Sequence, residues 1–195
     1  MNKKISFMLV CFITLVANAQ IVLLQETFQD WTPEIGLAPV SPSKSPTGVE
    51  YSISKKLYDG KTEGTFTSNA IIVSPDQSIG TSGKAEGNGN PSNGRVAIKG
   101  AKNYLQLPQL PSVGIVNIKA SVGTDLKEFK LQAVTDGGAF EDIDGTVSSC
   151  KKDVIKLYTF NLTYASPTTL RIVPTSGSGV YVWDLEVYSY STTKK

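Results

Sequence analysis

From Arg95 onward the chain breaks into short runs of β-branched and aromatic residues, each fenced by Gly, Pro, Asn, Asp or Ser: residues 95–99, 104–107, 114–122, 129–135, 156–164, 169–173 and 180–190. Runs of this length between turn residues are strands, and nothing after the first nineteen residues carries a helical apolar period. The series predicts an all-β chain, folded as an antiparallel sandwich or barrel. Its last run, Val180 to Tyr188, has the composition of a packed closing strand. A strict two-residue period puts Tyr181, Trp183, Leu185 and Val187 on the core face and Val180, Val182, Asp184 and Glu186 on the other. A matching strand lies between Ile21 and Trp31, with Glu26 just before Phe28, so the two ends are expected to meet.

Residues 1–19 stand apart. Asn2, Lys3 and Lys4 are followed by an apolar run from Ile5 to Val16, then Ala17-Asn18-Ala19, the small-x-small pattern of a cleaved export signal. That run is too short to span a membrane, and Cys11 within it lacks a lipoprotein context. The expectation is one exported domain over residues 20–195, periplasmic or extracellular. Without Lys3 and Lys4, the 19 basic residues fall to the same number as the 17 acidic ones. A neutral chain is a poor partner for nucleic acid. Cys150 alone follows the leader, so no internal disulfide forms, and it reads as a half-buried small hydrophobe. The chain has no histidine, which removes Ser-His-Asp and Cys-His catalysis and His-ligated zinc.

Two stretches read as loops. Pro33, Pro39, Pro42 and Pro46 exclude a strand interior between residues 32 and 48. Ile79 to Gly94 is rich in glycine and asparagine and reads as a long irregular loop. Glu141, Asp142 and Asp144 surround a turn closed by Gly145. As neighbours in one loop they are a hairpin tip rather than the facing carboxylate pair of a glycosidase.

Alternation places Val96, Ile98, Leu105, Leu107, Val116, Ile118, Ala120, Phe129, Leu131, Ala133, Leu170 and Ile172 inward. It leaves Arg95, Lys99, Tyr104, Gln106, Lys119, Lys130 and Arg171 outward. Arg95, Lys99, Tyr104, Gln106, Lys119 and Lys130 form the candidate ligand set. Tyr104 stacks on a sugar ring in this reading, the cations hold uronate carboxylates, and the amide meets hydroxyls. The competing reading is ordinary solvated charge spread over two opposite sheet faces.

The order of motifs also carries a resemblance. Glu26-x-Phe28-x-x-Trp31 comes first, then Gly94-Arg95-Val96-x-Ile98-Lys99-Gly100 before Tyr104-Leu105-Gln106-Leu107-Pro108, then Val134-Thr135-Asp136-Gly137-Gly138-x-Phe140. Leu170-Arg171-Ile172-Val173 and Val180 to Val187 close the series. It resembles the jelly-roll, carbohydrate-binding-like modules of secreted bacterial polysaccharide-degrading systems, of the type found beside pectate lyases. The resemblance implies a jelly-roll β-sandwich and a non-catalytic module for a polysaccharide or oligosaccharide, here an acidic, pectin-type chain. It also implies a structural Ca2+ held by Glu26 and Asp184 with loop carbonyls, against the alternative of a solvated Asp184 on an exposed strand face. Two other functions stay open. One is a structural or adhesive protein making protein contacts through a flat strand edge; the other is a histidine-independent lyase using Tyr104 with Arg95 or Lys119.

Overall fold

The computed structural model describes residues 20–28, 50–53, 66–68, 70–74, 77–81, 94–124, 127–152, 154–177 and 179–191. They contain fourteen strands: β1 (Val22–Glu26), β2 (Glu50–Ile53), β3 (Phe66–Ser68), β4 (Ile71–Val73), β5 (Gln77–Thr81), β6 (Gly94–Ile98), β7 (Leu105–Gln106), β8 (Val113–Val122), β9 (Lys127–Thr135), β10 (Glu141–Asp142), β11 (Ser148–Cys150), β12 (Lys156–Tyr164), β13 (Thr168–Pro174) and β14 (Val180–Tyr188). No helix occurs among the described residues, so none is long and apolar enough to cross a membrane. The expected leader and the proline-rich loop lie outside the described residues. Of the glycine-rich stretch, Ile79 to Thr81 belongs to β5 rather than to a loop, because it pairs with both β2 and β6.

Two antiparallel sheets result. Sheet A runs β12-β8-β14-β6-β5-β2, with β1 also on β14; sheet B runs β10-β9-β13-β7-β4-β3, with β11 also on β9. The pairing is nested: β6 with β14, β7 with β13, β8 with β12, and β9 with β10. First meets last, second meets last but one, and so inward to a hairpin, which is a long antiparallel ribbon rolled into a double-sheet jelly roll. The expected meeting of the chain ends is the β1–β14 ladder.

The core lies between the sheets. Val96, Ile98, Val116, Ile118, Ala120, Tyr158, Phe160, Leu185 and Val187 from sheet A face Ile71, Val73, Leu105, Phe129, Leu131, Leu170 and Ile172 from sheet B. Outside the closing strand, every residue that alternation sent inward is buried. Cys150 is fully buried as well, rather than half-buried.

The closing strand departs from its expected phase. Against β8, Val182 pairs with Ala120 and Asp184 with Lys119, so Trp183 is an extra residue in a β-bulge. One inserted residue reverses the alternation on either side of it. The inward set is therefore Val180, Val182, Leu185 and Val187, while Tyr181 moves to the outer face. Trp183 lies outside the inter-sheet core and donates its Nε1 hydrogen to Ser121 Oγ at 2.8 Å.

Candidate functional site

The outward face of sheet B carries a row of side chains running across its strands. The ladder sets Asp142 beside Gln132, Gln132 beside Arg171, Arg171 beside Gln106, and Gln106 beside Ile72. Arg171 is the centre. Its Nε donates to Gln106 Oε1 at 2.8 Å, and its guanidinium carbon lies 3.9 Å from the centroid of the Tyr104 ring and 3.6 Å from that of Phe140. The rings come from opposite sides of β13 and engage the cation through their faces. Burial pulls the Arg171 guanidinium below its ordinary value, and no carboxylate pairs with it among the described residues.

Local geometry places both rings. Asp136 and Gly137 each have positive φ, and Gly138 N–H donates to Thr135 O at 3.2 Å. That is a type I′ hairpin turn, which returns the chain along β9 and delivers Phe140 to the face. Tyr104 is pinned through its backbone: its N–H donates to Ser74 Oγ at 2.9 Å and its carbonyl accepts from Ser74 N–H at 3.0 Å. Further along the face, Lys130 Nζ meets Asp142 Oδ2 at 2.5 Å and Gln132 Nε2 donates to Asp142 Oδ1 at 2.8 Å. These two partners hold the Asp142 carboxyl below its ordinary value. With both its oxygens engaged, Asp142 is a positioning acid and is poorly placed as a proton carrier.

The structure divides the six candidate ligand residues. Tyr104, Gln106 and Lys130 share the sheet B face. Arg95, Lys99 and Lys119 belong to sheet A and its outer side, across the core. Arg95 lies 4.1 Å from the Tyr181 ring centroid and 5.5 Å from that of Trp183, and Lys119 Nζ meets Asp184 Oδ2 at 2.6 Å. A lyase grouping of Tyr104 with Arg95 or Lys119 is not assembled, because the sandwich separates them.

The expected calcium ligands also sit apart. Glu26 pairs in register with the inward Leu185 and is buried, with Oε1 accepting from Phe28 N–H at 2.7 Å. Asp184 pairs with Lys119 on the other face. The two carboxylates thus lie on opposite faces of one sheet, and no group of three or more metal-ligating side chains occurs among the described residues. Asp184 Oδ1 is buried without a hydrogen-bond partner among the described residues.

Two members of the face escaped the sequence reading. Arg171 was recognised as outward but not as its centre, since the ladder that brings Gln106 and Gln132 to it joins strands distant in sequence. Phe140 reads as core from its type alone; the Asp136-Gly137 turn before it is the signal that sends it elsewhere.

No protein-family model matches the chain, and no curated protein matches it. Solved structures with related folds include the CBM22-1 xylan-binding domain of Xyn10C from Paenibacillus barcinonensis, at 13% identity and TM-score 0.42, covering 90% of this chain and 99% of that one. The K1 cleaved adhesin domain of Lys-gingipain from Porphyromonas gingivalis aligns at 14% identity and TM-score 0.46, covering 86% and 98%. The CBM22-1 and GH10 modules of xylanase 10B from Clostridium thermocellum, in complex with xylohexaose, align at 14% identity and TM-score 0.44 over 62% of this chain. The match spans about a quarter of that enzyme's chain, 26%. At such distances it is the nested pairing of the strands that decides the fold, and none of these likenesses decides a function.

Proposed function

We propose that the outward face of sheet B binds a polysaccharide and does not cleave it. One observation carries this reading: Arg171 is held between Tyr104 and Phe140 in a row with Gln132 and Gln106. Amides satisfy ring hydroxyls, aromatic rings supply apolar contact to sugar faces, and a braced guanidinium supplies directed donors. The pectin-type ligand expected from the sequence needs cations, and on this face those are Arg171 and Lys130. Export follows from the leader-like first nineteen residues and belongs to the same proposal.

Affinity electrophoresis through gels cast with pectin, polygalacturonate, xylan and β-glucan tests it. One gel retards the protein, Tyr104→Ala with Arg171→Ala together abolish the retardation, and Lys99→Ala on the opposite side leaves it. Free migration of the wild-type protein in every gel, or equal retardation of the double variant, refutes the proposal.

A second reading has its own observation. Among the described residues β12 ends sheet A and pairs with β8 alone; after Lys156 it runs from Leu157 to Tyr164 without a charge or a proline, with Leu157 53% exposed. An edge with eight successive uncharged residues is a template for strand addition, so contact with another protein chain is the alternative. Concentration-dependent association that Thr159→Lys removes favours it; a monomer at every concentration counts against it.

A further inference from the structure

We infer that the acid in a ligand of this face is sparse: the face fits a largely neutral polysaccharide bearing isolated carboxylates, one of which docks end-on against the two Nη groups of Arg171. The inference rests on the glycan-binding reading above and deepens it.

The face has no charge to spare for a polyanion. Among the described residues, the outward charged side chains of its strands are Glu128, Lys130, Asp142 and Arg171, two of each sign. Lys130 is committed to Asp142 at 2.5 Å, and Asp142 to Gln132 as well. Glu128 accepts from the neutral Ser149 Oγ at 2.8 Å. Arg171 is left as the cation without a carboxylate among the described residues. Neighbouring strands lie roughly 4.8 Å apart, so Asp142, two strands from Arg171, stands about 10 Å away. That is about one Debye length at 0.1 M salt. A first carboxylate on Arg171 gains a partner, whereas a second, carried on the next sugar, has no uncommitted cation within that range among the described residues and takes Lys130 only by displacing Asp142.

Arg171 also selects the form of the group it takes. The Tyr104 and Phe140 rings lie against its guanidinium and Gln106 occupies its Nε side. The end-on pair of Nη groups donates to no described residue. Two parallel N–H donors in a plane match a two-oxygen planar acceptor, and a sugar hydroxyl satisfies only one of them. Because the rings hold the fork, a carboxylate binds it without first ordering a flexible side chain.

The test varies carboxylate density on a fixed backbone. Highly methyl-esterified pectin and polygalacturonate form one pair; glucuronate-branched xylan, before and after reduction of its carboxyl groups, forms the other. Affinities are measured by titration calorimetry for the wild-type protein, Arg171→Gln and Arg171→Lys, with melting temperatures to establish folding. The sparse acid of each pair that binds is expected to bind best. Carboxyl reduction and Arg171→Gln are each expected to weaken binding about ten- to hundredfold, without adding to one another. Arg171→Lys restores the charge but not the fork, and stays well below wild type. Equal binding of native and carboxyl-reduced xylan, tighter binding of polygalacturonate than of esterified pectin, or an Arg171→Gln variant that still discriminates overturns this inference and leaves glycan binding standing. Absence of wild-type binding to all four overturns both.

Discussion

Phe129 is the side chain on which the junction of the two sheets depends most. It is fully buried on β9 and meets Tyr158 edge-on at 5.1 Å and 87°, and Phe160 at 6.0 Å and 81°, both on β12 of the other sheet. Replacing a buried Phe by Ala costs about 3–5 kcal/mol, the transfer term plus the cavity. Edge-to-face pairs contribute about 0.5–1.5 kcal/mol each beyond area, which places Phe129→Ala at the upper end, about 4–5 kcal/mol. Domains have only about 5–15 kcal/mol in total, and one of this size loses roughly 2–4 °C of melting temperature per kcal/mol. The variant is expected to melt about 10–15 °C lower, with a lower urea midpoint by circular dichroism and an unchanged m-value. Phe129→Leu keeps most of the volume but loses both ring contacts, at about 1–2 kcal/mol, so it remains measurable if the Ala variant does not fold. A loss below about 2 kcal/mol for Phe129→Ala would show that β12 does not lean on this ring and would refute the packing argument.

Three further perturbations probe other parts of the molecule. Gly114→Ala would drive a Cβ into Ser189 O and to 2.8 Å from Tyr190 Cα, both backbone atoms, so it is expected to cost about 2 kcal/mol or more; an unchanged melting temperature contradicts this. Burial pushes the Cys150 thiol up and leaves it inaccessible, so Ellman's reagent should label it slowly in the native protein and fully in urea, and rapid native labelling counts against that burial. Asp142 has a depressed value in the fold, so its contribution is present above the ordinary 3.8 and is lost as pH falls through the lowered value. The melting-temperature gap between wild type and Asp142→Asn should therefore narrow only below pH 3.8, and a gap that persists in strong acid separates the asparagine's effect from the Lys130 pair.

Alternation was a sound guide wherever the ladder is continuous, as along β8 up to Ala120 and along β9. There, successive residues face opposite sides of a half-buried sheet and apolar side chains declare the inner one. It failed at Trp183 because a bulge adds a residue without any local mark in composition. A signal was nevertheless present: Val180, Val182, Leu185 and Val187 are spaced two, three and two, and the odd step is the bulge. Weighing the two aromatics as core residues hid it. The face around Arg171 was legible only in part for another reason. Which residues lie beside Arg171 depends on β13 standing between β9 and β7, a fact of topology that no local pattern encodes.

The bulge also explains why cations of the same type do different work on the two outer faces. By reversing the phase of β14 it turns Tyr181 outward, where the ring lies against Arg95, and sets Asp184 opposite Lys119. The closing strand thus supplies partners for the cations of sheet A from its own residues. Among the described residues sheet B has no carboxylate beside Arg171: Gln132 and Gln106 flank it in register, and the acid of the row, Asp142, is held by Lys130. Amides on both sides can orient a guanidinium but cannot neutralise it, and aromatic rings stabilise it without supplying a full counter-charge. Strand order therefore sets neutral neighbours on both sides of Arg171, and that is why the proposed carboxylate is placed there.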